Sequence, residues 1–396
     1  MISQKSLLIN ILLLSTRVSN SKHEKKVRCL VNQCNNKSLI IYMKKNRNSN
    51  IELLRIIAAL FVLSYHAVNA TVDINALELP SRFIMTGLFF GMGRISVNIF
   101  VIISAWFLCE QKFKFERITN TWLSTIFYTI PIALVFVYFG KADLVYLITN
   151  MFPVFFQPLW FITAYVFLLF LTPLLNLILS KYEKIKCRNM IIFLSALFVL
   201  PMTFLPQIRG AFYSELGWFC VLYLITGYLR IYQPLKIINN KKVCLLIFCL
   251  SYFFIISWYI LYYNIPYKFL SNYLDFAGIT HASFLNFTSS LPSFLASFSF
   301  FFLFKNVNIT KLNNVINCIS KTSLDVYILL SLKGPSGLIF WVDILDLNIY
   351  VNSGNIFMKV TIIIFVAFVI TSLIGRIRIY LVNKVMRLIP KLNDIF

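Results

Sequence analysis

Charge is what this 396-residue chain has least of: 13% of its residues are Asp, Glu, Lys or Arg, and only 14 are acidic. A soluble domain carries about 25% charged residues. Hydrophobic residues reach 59%, more than a soluble fold of this length can hide, because much of any folded surface must face water. A bilayer removes that constraint. Histidine is scarce as well: His23, His66 and His281 are the whole supply, so a histidine-based site has few places to form. No Pro/Gly/Ser-rich linker, soluble domain or clear internal repeat interrupts the chain, which argues against a transporter built from two related halves.

What the chain does have is a succession of apolar runs of about 18 to 25 residues, each long enough to cross the hydrocarbon layer. They fall at 51–69, 86–108, 121–139, 158–179, 190–206, 215–232, 243–263, 284–304, 322–341 and 357–381. This pattern predicts an all-α polytopic transmembrane helix bundle of about ten spans. The runs at 284–304 and 322–341 are the weakest, the first rich in Ser and the second holding Asp325, Lys333, Gly334 and Pro335.

The net charge of +23 invites a nucleic-acid reading, but the placement of the basic residues explains it differently. With the N-terminus of the first span in the cytoplasm, segments 43–50, 109–120, 180–189, 230–242, 305–321 and the tail together hold about 22 Lys and Arg on the cytoplasmic side. The opposite loops hold Arg82, Lys141, Arg209 and Lys268. Such a bias is a topology signal that puts both termini in the cytoplasm; no nucleic-acid partner is required. The eight cysteines fall mostly in spans or cytoplasmic loops, where disulfides are not expected. None has zinc-ligand spacing, so no metal site is expected, and they read as small apolar filler.

Residues 1–42 differ from the rest. SLLINILLL is too short to span, and the polar, basic stretch after it has no small-residue cleavage site of the kind a signal peptide needs. The expectation is an upstream extension or disordered N-terminus over 1–42. A single membrane domain over 43–396 follows, opening at Met43 with MKKNRNSNIELLR.

An ionisable group inside a span is costly and therefore a functional candidate. The first span, NIELLRIIAALFVLSYHAVNA, contains Glu52, Arg55 and His66. Arg55 and His66 are eleven positions apart, about 20° beyond three full turns, so they share one helix face about 16 Å apart along the axis. Glu52 and Arg55, at i and i+3, are placed to pair. A guanidinium near the cytoplasm suits a phosphate-bearing ligand, and a deeper imidazole suits proton abstraction from a hydroxyl. Spacing alone equally fits an arginine that snorkels to the headgroups and a histidine that packs near the far end.

The phrase NIELLRI with Arg-x10-His after a basic N-terminus resembles the membrane-bound acyltransferases of the acyltransferase-3 type. Further segments are similar to that family in the same order. They are GRISVNIFVIISAWFL (93–108), FKFERITNTWLSTIFY (113–128), PLWFITAYVFLLFLTPLLN (158–176), LGWFCVLYLITGYLRIY (216–232) and SKTSLDVYILL (320–330). The resemblance implies a bacterial inner-membrane enzyme that O-acylates, mostly O-acetylates, cell-surface glycans. It implies acetyl-CoA as co-substrate, no tightly bound cofactor, and a glycan acceptor in contact with membrane lipid. By the same resemblance Arg55 handles the acyl donor, with Glu52 beside it, and His66 is the catalytic base. Arg117, Lys112 and Lys114 stand where the family meets acyl-CoA phosphates, although topology alone also accounts for them. Asn98, Ser104, Trp160, Tyr327 and Asp325 are candidates for the substrate path. Two departures stand out: Ala105 replaces the Gly of the family's Ser-Gly pair, and Leu330 stands where many relatives have a second histidine. The competing readings are a glycan transporter or flippase and a catalytically impaired family member.

Overall fold

The computed structural model describes residues 48–72, 77–78, 81–82, 85–87, 92–156, 159–208, 213–233, 235–263, 268–279, 287–307, 312–336 and 355–388. The expected extension over 1–42, His23 and His281 lie outside them. Residues from Ser49 onward belong to one compact unit. Its described elements are helices: α1 Ser49–Thr71, α2 Met92–Leu108, α3 Glu116–Tyr138, α4 Leu144–Met151, α5 Trp160–Lys181, α6 Lys184–Phe204 and α7 Glu215–Tyr232. They continue as α8 Lys241–Tyr263, α9 Lys268–Ala277, α10 Leu291–Asn306, α11 Asn313–Ile319, α12 Ser323–Ser331 and α13 Ile356–Leu388.

α1 supplies the axis, with Arg55 near one end and His66 near the other. At the Arg55 end, the Asn50 amide donates to the Val307 carbonyl, and Ser49 reaches Asn317 across 3.4 Å. The end of α10 and the body of α11 are thereby tied to the start of α1. At the His66 end, α2 begins against Tyr65. A Cβ on Gly93 would lie 2.4 Å from the Tyr65 Cβ, so only glycine permits this approach of the two helices.

Among the described residues six helical segments are long and apolar enough to cross a membrane: Ser49–Asn69, Glu116–Tyr138, Trp160–Lys181, Lys184–Phe204, Lys241–Trp258 and Ile356–Lys384. They correspond to six of the apolar runs read from sequence. Peripheral helices present large apolar side chains outward, among them Phe253 at 65% exposure on α8 and Phe365 at 65% on α13. That surface is stable only in contact with lipid, which makes the chain a multi-pass membrane protein.

The runs at 86–108, 215–232 and 284–304 hold the shorter α2, α7 and α10, of 17, 18 and 16 residues. These helices form the interior. Trp218, Phe219 and Tyr223 of α7 are fully buried, as are Phe301 of α10 and Ile95, Ile99 and Ile102 of α2. Burial among neighbours rather than in lipid explains why their Ser, Asn and Thr residues are tolerated.

The run at 322–341 differs most from the sequence expectation. It holds the nine-residue α12, which continues α11 through a 3-10 turn at Ser320–Thr322. Helix ends at Ser331, just ahead of Lys333-Gly334-Pro335. Glycine lowers helix propensity, and proline bars the helical region to the residue before it. Backbone proline elsewhere is absorbed within helices, at Pro131, Pro173 and Pro201. Hydroxyls inside the bundle bond back one turn, as Ser64 does to the Leu60 carbonyl at 2.8 Å, so they need no water.

Candidate active site

The amphipathic logic of α1 puts its few polar groups on the faces that meet α2, α10, α12 and α13. His66 meets α12: its Nε2 lies 3.2 Å from the Ser331 hydroxyl. The Tyr65 ring stands edge-on to the imidazole, 5.3 Å between centroids. Arg94, from the first turn of α2, and Lys333, just past α12, are the two cations whose charge acts on His66.

One turn before Ser331 lies Tyr327, whose hydroxyl interacts with the Ser331 side chain and the Phe161 backbone. Phe161 contacts Tyr327 at 5.1 Å and stacks on Tyr165 at 5.8 Å. The Tyr165 hydroxyl is 3.1 Å from that of Ser104. Three of the residues singled out from sequence, His66, Tyr327 and Ser104, therefore belong, with Phe161 next to Trp160, to one connected series across α1, α12, α5 and α2. Trp160 itself packs on Phe161 and Phe219 at the start of α5 and is 36% exposed.

Eleven residues down α1, the Arg55 guanidinium donates to Glu52 at 2.7 Å. Glu52 is nearly buried, with 7% of its side chain exposed, whereas Arg55 keeps 26%. The carboxylate thus anchors the arginine and leaves part of the fork open to a ligand. Two further cations gather at the helix ends on this side. Arg230 lies 5.0 Å and Lys305 5.2 Å from the Trp106 ring centroid, and Arg230 also meets Glu110 at 2.6 Å. Arg117 donates to the Lys112 carbonyl at 3.1 Å and to the Gln111 side chain. Lys112 and Lys114 are exposed in the link between α2 and α3.

Two candidates have internal partners. Asn98 is fully buried; its amide donates to the Thr288 carbonyl at 2.7 Å and to Ser297 at 3.1 Å. Its carbonyl oxygen accepts from Trp218 Nε1 at 3.0 Å. Asp325, also fully buried, accepts from Tyr128 at 2.8 Å and pairs with Arg378 of α13. Gly375 lets α13 reach it, since a Cβ there would lie 2.8 Å from the Asp325 Cβ. The apolar groove of about 820 Å³ beside Tyr128 and Arg378 contains neither His66 nor Arg55.

Sequence reasoning missed Ser331, Arg94 and the pair of cations on Trp106. Ser331 had a signal, since it follows Tyr327 by one helical turn, next to the position where a second histidine is missing. Arg94 lay inside the quoted segment 93–108. Arg230 and Lys305 looked only like topology charges.

Among the described residues no cluster of three or more His, Cys, Asp or Glu is arranged to hold a metal. Neither the curated proteins nor the solved structures contain a match to the chain. A family model described as an acyltransferase domain matches residues 48–377, from just before α1 to within α13. It takes in both ends of α1, the Ser331 partner of His66 and the cations near them. On that match over most of its length, the chain belongs to the acyltransferase-3 family.

Proposed function

We propose that this membrane acyltransferase moves an acetyl group from acetyl-CoA to a sugar hydroxyl of a cell-surface polysaccharide or its lipid-linked precursor. Its place would be the bacterial cytoplasmic membrane. The observation that carries the reading is the pair of ends on α1: Arg55 held half-open by Glu52 at one, His66 held by Ser331 at the other.

The basic bias of the loops puts the Arg55 end in the cytoplasm, where acyl-CoA is available. The ten apolar runs of the sequence give about ten passes between the two ends, with α11 and α12 together making one of them. Arg55, with Arg117, Lys112 and Lys114 on the same side, offers guanidinium and ammonium groups to the donor's phosphates. The pantetheine arm then runs along α1 toward His66, past the Ser104–Tyr165 and Phe161–Tyr327 contacts.

His66 takes the proton from the acceptor hydroxyl as its oxygen attacks the thioester carbonyl. The new C–O bond forms, the C–S bond breaks, and the thiolate leaves as CoA, protonated by the imidazolium. A route through an acetylated intermediate divides the same balance into two steps. Ser331 and Tyr65 orient the ring without supplying the base.

The test is replacement of His66 by Ala, with glycan O-acetylation read by NMR and acetyl-CoA binding measured on the purified protein. Loss of the ester with retained donor binding is the expected outcome. Full acetylation by a stably expressed variant would sink the base assignment. Absence of acetyl-CoA binding by the parent protein would sink the donor.

A further inference from the structure

Among the described residues, three arginines of the bundle each meet a carboxylate: Arg55 with Glu52, Arg230 with Glu110, and Arg378 with Asp325. Arg94 meets none. Its Nε is buried with no hydrogen-bond partner, and its guanidinium carbon lies 5.9 Å from the centroid of the Tyr65 ring. The aromatic face compensates part of its charge, but Arg94 is half-buried and its unpaired buried nitrogen is costly. The cost falls beside His66, because Tyr65 touches both groups.

Lys333 adds a second cation at this end. Both Lys333 and Arg94 act on the His66 ring, and Lys333 is exposed. The Tyr146 hydroxyl donates to the Lys333 carbonyl at 2.8 Å. Tyr146 also lines a polar recess of about 560 Å³ with Gly140, Lys141, Asp143 and Pro335. Among the described residues neither cation near the imidazole meets a carboxylate, and an open polar recess adjoins the Lys333 segment through Tyr146 and Pro335. A neutral sugar would leave both charges uncompensated, whereas an oxyanion would offer them a counter-charge, with the planar fork of Arg94 suited to two of its oxygens.

We infer that the His66 end binds an acidic acceptor: the sugar that receives the acyl group carries, or is joined directly to, a carboxylate or phosphate held by Arg94 and Lys333. This rests on the acyl-transfer reading above and narrows its substrate class. Arg94 and Lys333 are binding residues here, and His66 remains the base.

The experiment compares glycans from the host cell with and without the protein, and with Arg94→Met, Arg94→Lys and Lys333→Met in its place. The position of the ester is read by carbon and phosphorus NMR. The expected ester lies on a uronic-type or phosphate-linked sugar; phosphorus coupling or its absence tells the two sources apart. R94M and K333M each lower ester content at least tenfold, R94K less, while acetyl-CoA binding to the purified variants stays within twofold of the parent. K333M carries the test if R94M fails to accumulate, because Lys333 is exposed.

An ester on a sugar with no acidic group on it or next to it overturns the inference and leaves the acyltransferase reading standing. So does full ester content in both charge-removing variants, including the case where they lose only a co-purifying anionic phospholipid seen by native mass spectrometry. If no glycan ester depends on the protein, the acyl-transfer reading falls and this inference falls with it.

Discussion

Ser331 and His66 are 265 positions apart in the chain and 3.2 Å apart in the bundle. The contact joins the last residue of α12 to the C-terminal half of α1. Because α12 ends there, the Ser331 hydroxyl is no longer committed to helix geometry on both sides, and the polar stretch after it begins beside the imidazole. A side chain from one helix thus fixes the ring of another, the ring that takes the proton in the proposed reaction. Tyr327, one turn earlier, adds its hydroxyl to the same contact.

Ser331→Ala removes a hydrogen bond of about 1 kcal/mol, which corresponds to about a fivefold loss in the transfer step. The expected effect is a fall in kcat with donor KM unchanged, because Ser331 lies away from Arg55. Ser331→Thr keeps the hydroxyl and restores most of the rate. A general packing defect would lower the thermal midpoint and would affect both variants alike, so the kcat–KM split together with the threonine rescue isolates the positioning role.

Much of this was legible in the sequence for a physical reason. Lipid demands long apolar helices, so hydropathy reports directly on the bundle, and the i, i+3 spacing announced the Glu52–Arg55 pair. Helical periodicity likewise put Arg55 and His66 on one face. What could not be read was which polar residues have internal partners. Asn98 looked like a path residue, but its amide is fully engaged by Thr288, Ser297 and Trp218. Asp325, a substrate-path candidate as well, is paired with Arg378, 53 positions away. Partners at such separations come from packing, which no local pattern encodes. The nine-residue α12 was hidden for a similar reason: a short helix buried among others needs no lipid-length apolar run.

Arg55→Met is expected to raise the KM for acetyl-CoA at least tenfold, and Arg55→Lys to restore it only in part, since an ammonium cannot grip two phosphate oxygens at once. Glu52→Gln is expected to act on the same parameter more weakly, because the arginine keeps its charge but loses its anchor. Steady-state kinetics with varied donor at saturating acceptor separates the two. An unchanged donor KM in Arg55→Met would assign the arginine to structure alone.

Asp325 and Arg378 make a different kind of claim, one about stability. Removing one member of a buried ion pair leaves an uncompensated charge and costs about 3–5 kcal/mol. Asp325→Ala should therefore lower the thermal midpoint in detergent strongly. Tyr128→Phe should cost less, since the Arg378 pairing survives. The double variant Asp325→Ala/Arg378→Met should be more stable than Asp325→Ala alone, because no charge is stranded. A double variant less stable than either single would mean that the two residues do not act as a pair.

Orientation is checked by cysteine labelling in intact cells, and the chain's own thiols set the background. Cys109 is 7% exposed, and burial pushes its thiol up to about 11. The reactive thiolate is the deprotonated form, so at pH 7 this cysteine stays protonated and slow to label; its reactivity appears only as pH approaches that value. Against that background Lys141→Cys, in the link at the His66 end, is expected to react with a membrane-impermeant maleimide from outside. Lys114→Cys and Lys184→Cys, at the Arg55 end, should react only after the membrane is opened. Both positions are exposed, so access and not burial decides the outcome. Labelling of Lys114→Cys in sealed cells would invert the bundle, put Arg55 outside, and remove the cytoplasmic donor from its reach.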